Sequence, residues 1–352
     1  MARMVIAQSR HGHSVSVVVR SDRAHKRARR AEDLHSWAPL RSAGIDVEAV
    51  EFQRRWGRRR LNKVIKAGEF DVIHAHRDDA LIAAHRCLQG EAPVLIAQRG
   101  TIRTPPEKVR AEFASPKTSA IIAVADAVRD SLSHAIPATA SKIHVVYGSV
   151  DLDEFRPREP DTALRKELGI PETAALIGSL SAYRRAKGLD ILIDALAVTM
   201  KSHENVHAIM LGQNVEEHIA PLAIERGIAD QIHFVGHQTD IARWLSVMDM
   251  TVVAATDREG LSGVLRESLA MEVPVISTDC AGNGEIVRDR ETGLLIPMND
   301  VEALTRALDW AVDNAGEMKA MAARGRTWVE ENCAPEIQRV RLEEIYRSAM
   351  SV

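Results

Sequence analysis

The sequence predicts an α/β protein made of two doubly wound, Rossmann-like domains. Three observations lead there. The chain has 352 residues, enough for about two domains of roughly 100–200 residues each. Short apolar runs alternate with amphipathic segments along most of its length, the pattern of βαβ units and parallel sheets. No apolar run reaches the roughly 18 residues of a membrane-spanning helix. The content of 45% hydrophobic and 27% charged residues is that of a soluble globular protein.

In the first half, residues 15–19, 47–50, 72–74, 94–97, 121–124 and 143–147 are apolar runs of strand length, and helical segments separate most of them. Residues 148–157 (GSVDLDEFRP) show no clear period. In the second half, residues 175–177 read as a strand. Leu189, Leu192, Ile193 and Leu196 then recur at i, i+3, i+4 and i+7, which is one helix face. Residues 208–211 end at Gly212 and residues 233–235 end at Gly236. Residues 251–253 and 274–276 are two further strands, and residues 337–350 read as a last helix. In doubly wound folds ligands bind at the carboxyl ends of the strands. Two such domains facing each other would leave a cleft suited to a small molecule.

The net charge of −3 conceals an asymmetry. Residues 1–157 hold 26 Lys and Arg against 18 Asp and Glu, a net of +8; the remainder holds 20 against 31, a net of −11. Basic residues cluster at Arg20, Arg23, Lys26, Arg27, Arg29 and Arg30, and again at Arg54, Arg55, Arg58, Arg59, Arg60 and Lys63. Such patches attract anionic lipid or a phosphorylated acceptor, or else form a solvated helix face. Nucleic acid is not expected, because no reading motif or aromatic stacking platform accompanies the charge. Cys87, Cys280 and Cys333 lie far apart without metal-like spacing, which suits a reducing cytoplasm. The N-terminus carries no basic-then-apolar secretion signal.

Several predicted strand ends carry residues with chemistry. After Gly178-Ser179-Leu180, a loop bears Arg184 and Lys187, and Gly188 opens a helix. Loop cations beside a helix N-terminus form an anion site, and Arg185 could stand in for Arg184. Glu259 and Gly260 follow the 251–253 strand, and Glu267 falls in the next helix. Eight helical residues would span about 12 Å, too far for an adjacent acid/base couple. The backbone amides of Leu261, Ser262, Gly263 and Val264 lie near that helix start. Gly236-His237 and Gly282-Asn283-Gly284-Glu285 follow two more strands; each reads as a tight turn or as a place where backbone approaches a ligand. In the first half, His74-Ala75-His76 ends a strand, so the two rings share one face. No third ligand accompanies them to make a metal site. Arg99-Gly100 ends the next strand.

The string from Glu259 through Glu267 to Ala270-Met271, then Val273-Pro274-Val275-Ile276-Ser277 and Gly282-Asn283-Gly284-Glu285, resembles the E-x7-E signature of retaining glycosyltransferases of the GT4 type. Residues 184–188 resemble the R-x-x-K-G phosphate-binding element of that family, and residues 148–157 resemble its interdomain segment. The resemblance covers nearly the whole chain. It implies a GT-B fold, with an acceptor-side domain over residues 1–155 and a nucleotide-sugar domain over residues 156–335. Residues 336–352 would form a helix crossing back to the first domain.

The resemblance also implies roles. Arg184 and Lys187 would hold the diphosphate of a nucleotide-sugar donor. Glu267 would hold the ribose hydroxyls and Glu259 would contact the transferred sugar. Gly178, Gly260, Leu261, Ser262, Gly263, Val264, Gly236 and His237 would line the donor site. Arg99, Gly100 and His76 would lie on the acceptor or sugar side. No cofactor and no metal are implied, because cationic side chains and helix N-termini hold the diphosphate. Asp151-Leu152-Asp153 looks like a metal-binding D-x-D, but its interdomain place argues against that role. The acceptor would be a glycan or lipid-linked precursor of a surface polysaccharide or lipopolysaccharide. The setting would be the cytoplasm or the inner face of the membrane, with an anionic surface as a partner. A sugar-nucleotide epimerase on the same fold and a non-catalytic truncated remnant are the alternatives.

Two departures from the family pattern stand out. Many relatives carry His-Gly where this chain has Arg99-Gly100, so an arginine facing an anionic acceptor or a sugar carboxylate is the alternative role. The family's first strand and Gly-rich loop are missing ahead of His11-Gly12-His13, and residues 4–7 read as the tail of a first helix. The sequence therefore predicts a first sheet without its central strand, with residues 15–19 beside the gap. A gene product beginning about 15–25 residues upstream would supply a strand of average length, a loop and the missing helix turns. A short edge element at residues 5–7 is the other reading.

Overall fold

The computed structural model describes residues 1–20, 37–52, 54–88, 93–257 and 259–351. Arg23, Lys26, Arg27, Arg29 and Arg30 of the first basic cluster lie outside the described residues. The described elements begin with α1 (Ala2–Arg10), β1 (Ser16–Arg20), α2 (Ala38–Ser42), β2 (Asp46–Val50), α3 (Arg55–Ala67), β3 (Val72–Ala75) and α4 (Asp78–Cys87). They continue with β4 (Val94–Arg99), α5 (Glu107–Ala114), β5 (Thr118–Ala123), α6 (Asp126–Ala135) and β6 (Ile143–Val145). Next come α7 (Thr162–Glu167), β7 (Ala175–Leu180), α8 (Leu189–Ser202), β8 (Val206–Leu211), α9 (Val215–Arg226) and β9 (Ile232–Gly236). Then follow α10 (Ile241–Leu245), β10 (Met250–Val253), α11 (Gly263–Ala270), β11 (Val275–Thr278) and α12 (Asn283–Ile286). The chain closes with β12 (Leu294–Ile296), α13 (Val301–Asp313), α14 (Ala315–Cys333) and α15 (Pro335–Met350).

The chain divides into two units. The first is Met1–Ser149 with Pro335–Val352, and the second is Val150–Ala334. The division falls at Ser149 rather than at residue 155, because Val150 N–H donates to the Cys333 carbonyl (2.9 Å) and Phe155 is buried within the second unit.

The second unit is a six-stranded parallel sheet in the order β9-β8-β7-β10-β11-β12. Read from the unit's first strand, this is the 3-2-1-4-5-6 order of a dinucleotide-binding fold, whose ligands sit where the order reverses. Here that switch point lies between β7 and β10. The helix face anticipated from periodicity is real: Leu189, Leu192, Ile193 and Leu196 of α8 are all buried against the sheet core. Each such side chain contributes roughly 1.5–3 kcal/mol by leaving water.

Two features of this unit escape the sequence pattern. Three-residue β12 is too short to show a period. Gly178, expected to line a ligand site, lies inside β7 and pairs with Ile209 and Thr251. A Cβ there would stand 2.0 Å from Met248 Sδ, so the glycine is a packing device within the strand.

The first unit has the same parallel alternation in two pieces. β1 pairs with β2, and β3-β4-β5-β6 form a separate sheet. Among the described residues no strand pairs with both β1 and β3, and residues 2–10 form a helix. Strand β6 stops at Val145, short of Tyr147. Helix α15 belongs to this unit, where Leu342 and Ile345 pack with Met4, Val5, Ile96 and Ile122. Polar contacts fix its ends. Gln338 Nε2 donates to the Tyr147 carbonyl (3.0 Å), and Tyr346 OH meets His74 Nδ1 (2.7 Å).

His74 stacks on His76 with ring centroids 4.2 Å apart. Burial, reinforced by the neighbouring ring, holds the His74 pKa well below the ordinary value, and burial brings His76 down to about 4. Burial also pushes the Tyr346 hydroxyl up to about 12. The two imidazoles are thus folded in neutral form. A lowered folded-state pKa means the unfolded chain binds more protons, so this contribution to stability is complete above pH 6.5 and is lost as pH falls toward about 4.

Two predictions follow from this packing. Denaturant unfolding between pH 7 and pH 5 should show stability falling with pH, by up to about 1.4 kcal/mol per pH unit for each neutral ring. The slope should be flatter in His76→Asn, and an unchanged slope would remove the pair from the account. Gly178→Ala should cost roughly 1–3 kcal/mol by overpacking, with part of the loss recovered in the Gly178→Ala/Met248→Ala double variant.

Candidate functional site

At the carboxyl edge of the second unit's sheet, the loops after β7, β10 and β11 are joined into one surface. The loop after β7 carries Arg184, Arg185, Ala186 and Lys187, and it turns into α8 at Gly188. Gly188 has φ +60°, a left-handed conformation that favours glycine. A Cβ on it would stand 2.1 Å from the Ala254 carbonyl oxygen, just past the end of β10. Absence of a side chain therefore lets the loop lie directly on its neighbour. Thr256 N–H donates to the Ala186 carbonyl (2.9 Å), and the Lys187 ammonium is ion-paired and hydrogen-bonded to the Glu259 carboxylate. Both partners are largely buried, with side-chain exposures of 25% and 14%.

The loop after β11 secures the other side. Gly282 N–H donates to the Gly260 carbonyl (2.7 Å). Asn283, fully buried, accepts from Ser262 N–H (3.1 Å) and donates from Nδ2 to Ser277 Oγ (3.2 Å). Thr278 Oγ1 donates to the Ala255 carbonyl (2.6 Å), fixing the start of the same β10 loop. Cys280 is buried beside the Glu259 backbone, and burial pushes its thiol pKa up. Asn283 is the residue sequence reading underweights: its Gly-Asn-Gly turn is visible, but its amide's partners are remote in the chain.

These contacts sort the sequence-predicted residues. Lys187, Glu259 and Gly260 are brought together, with Arg184 and Arg185 exposed on the same loop. The Ser262 amide, expected to face a ligand, is already taken by Asn283, and Leu261 is buried. Gly263 and Val264 begin α11, whose N-terminus has no side-chain cap; first-turn amides of this kind suit an anion. Glu267 lies in the same helix, half-buried. Gly236 ends β9 with φ +66° and open space at its Cα, and its carbonyl accepts from Gly212 N–H (2.8 Å). His237 beside it is exposed.

The residues expected on the acceptor or sugar side belong to the first unit. Arg99 is 5% exposed. Its Nη1 donates to both oxygens of Asp78 (2.9 and 3.0 Å), and its Nη2 donates to the Arg103 carbonyl. The side chain is committed to joining the end of β4 to the start of α4, which corrects its reading as a group free for an anionic ligand. Gly100, next to it, is exposed. His76 is half-buried and stacked on His74.

Lysine, uncapped helix amides and a carboxylate at a switch point together can hold a charged phosphate group beside a hydroxyl-bearing ligand. The family described as Glycosyltransferase Family 4 matches residues 1–154, and the family described as Glycosyl transferases group 1 matches residues 160–328. The chain is similar to the lipopolysaccharide core biosynthesis mannosyltransferase LpsB of Rhizobium meliloti (strain 1021). The two are 28% identical over 58% of this chain and 61% of that protein. It is also similar to the putative glycosyltransferase EpsD of Bacillus subtilis (strain 168), 27% identical over 82% of this chain and 78% of that protein.

Among solved structures, the Anabaena protein HepE in complex with UDP and glucose superposes with a TM-score of 0.80. The identity is 20%, and 98% of this chain and 95% of that one are covered. A glycosyltransferase from Rickettsia africae gives a TM-score of 0.82 at 18% identity, covering 99% and 94%. These likenesses establish the fold as GT-B, with two Rossmann-like domains. With one glycosyltransferase family matching each half and the sheet order of a nucleotide-binding domain in the second, the chain belongs to the glycosyltransferases of the GT4 type.

Proposed function

We propose that this protein is a retaining glycosyltransferase that moves a sugar from a nucleoside-diphosphate sugar to a glycan or lipid-linked acceptor in surface polysaccharide or lipopolysaccharide synthesis. The carrying observation is the Lys187–Glu259 contact between the β7 and β10 loops at the switch point of the second unit. The names of the relatives LpsB and EpsD support the reaction class, and the UDP and glucose in the HepE structure support a nucleotide-sugar donor.

In this reading the diphosphate lies against Lys187, Arg184 and the α11 amides of Gly263 and Val264. Glu259 turns from Lys187 to the hydroxyls of the transferred sugar, and Glu267 holds the ribose. The acceptor oxygen bonds to the anomeric carbon on the face from which the diphosphate departs. The anomeric carbon–phosphate oxygen bond breaks, and the acceptor proton passes to the leaving phosphate. The protein stabilises the charge that builds on the diphosphate and aligns the two reactants; no side chain forms a bond to sugar. No metal is assigned to this step, since lysine, arginine and helix amides supply the positive charge. The basic first half supports a peripheral place on the inner face of an anionic membrane, where a lipid-linked acceptor would sit. Among the described residues no helix is long and apolar enough to cross a membrane.

Two measurements test this assignment. Lys187→Ala should weaken nucleoside-diphosphate binding by roughly 1.5–3 kcal/mol, the worth of a charge-assisted contact, and slow transfer; unchanged affinity and rate would sink it. Glu267→Ala should raise the Kd for free nucleoside diphosphate. Glu259→Gln should cut turnover while leaving that Kd nearly unchanged or lower, since it frees Lys187. Loss of nucleotide affinity alone in both would show that the division of roles is wrong.

A further inference from the structure

Helices α3 and α4 of the first unit border an open recess of about 270 Å³ lined by Arg55, Arg58, Arg59, Asn62, Arg86 and Cys87. Four of these lie at i, i+3, i+4 and i+7 of α3, so one helix face supplies them, and Arg86 comes from the end of α4. No carboxylate lines the recess. The contrast within α3 is informative. Arg54 pairs with Glu51 and Arg60 pairs with Glu48, whereas Arg55, Arg59 and Arg86 have no hydrogen bond or ion pair among the described residues.

The placement is unfavourable for an empty site. Like charges at i, i+3 and i, i+4 repel along a helix. Arg55 also sits in the first turn of α3, which holds no acidic residue, where the helix dipole opposes a cation. A bound anion would relieve both. Asn62 also lines the recess, and its Oδ1 is buried with no partner among the described residues.

We propose that this recess is a binding site for a phosphate monoester. Guanidinium groups converging from two helices suit a tetrahedral dianion, whose oxygens accept hydrogen bonds from several directions at once. The volume lies just below the roughly 300–1,000 Å³ of small-ligand pockets, which fits a phosphate with a short appendage. All its residues lie in the first unit, and the proposal does not rest on the transferase reading.

The ligand can be free in solution or the headgroup of a lipid, and two arms separate these sources. Calorimetric titration of the full chain with inorganic phosphate tests the first. Cosedimentation with phosphatidylcholine vesicles carrying phosphatidic acid, a monoester, or phosphatidylglycerol, a diester, at matched charge tests the second. Saturable phosphate binding supports a free ligand, and preference for phosphatidic acid without it supports a headgroup. In either arm Arg59→Gln and Arg86→Gln should each weaken binding by about tenfold or more, as loss of a charge-assisted contact implies. Lys63→Gln, an exposed residue of α3 outside the recess, should change it less than about twofold. The proposal is overturned if neither arm shows binding that discriminates, if binding survives both arginine variants, or if Lys63→Gln weakens it equally.

Discussion

The candidate site depends on one close approach: Gly188, in a left-handed conformation, lying against the carbonyl oxygen of Ala254. A side chain at position 188 would hold the β7 loop away from the β10 loop. Because none is present, Thr256 can bond Ala186 and Lys187 can reach Glu259. The switch point makes this contact useful. There the helices after β7 and β10 leave on opposite faces of the sheet, and their loops part to expose backbone and charge. The buried Asn283 amide then holds the far side of the β10 loop through Ser262. The geometry of the candidate site is thus fixed by backbone contacts, and the two charged side chains are positioned by them.

The first unit is organised differently. Its strands form two sheets, and much of its cohesion comes from helices. Helix α15, drawn from the far end of the sequence, covers the same apolar cluster as α1 and places Tyr346 against His74. Burial keeps that imidazole neutral, so a polar pair sits within an apolar layer without adding charge. Arg99 shows the opposite solution. Its charge stays buried because both Asp78 oxygens and a loop carbonyl satisfy it. Removing one member of such a pair costs about 3–5 kcal/mol, which is reason enough for an arginine there without any ligand.

Charge is also divided along the chain, with +8 on residues 1–157 and −11 on the rest. Part of that positive charge is spent on local ion pairs, such as Arg20 with Asp79 and Arg60 with Glu48. Arg55, Arg59 and Arg86 at the α3–α4 recess have no such partner among the described residues, so a count of basic residues and the free charge of the surface are separate quantities.

The sequence by itself determined the alternation of strand and helix, the α8 face, the place of most strands in both halves, and the family. It also determined which residue types gather at strand ends, Lys187 and Glu259 among them, because these follow from local periodicity and from ordered motifs. Only the tertiary structure decided which of those residues act together. Gly178 stands among the donor-site residues by resemblance but is packed within a strand in the fold, since Met248, seventy positions away, fills the space at its Cα. The Ser262 amide looks available until Asn283 arrives from another loop. Arg99 looks like an anion ligand until Asp78 is seen beside it. In each case the deciding partner is remote in sequence, and periodicity carries information only about neighbours within a few residues. Hydrogen-bond satisfaction and close packing are set by whichever chain segment folds alongside.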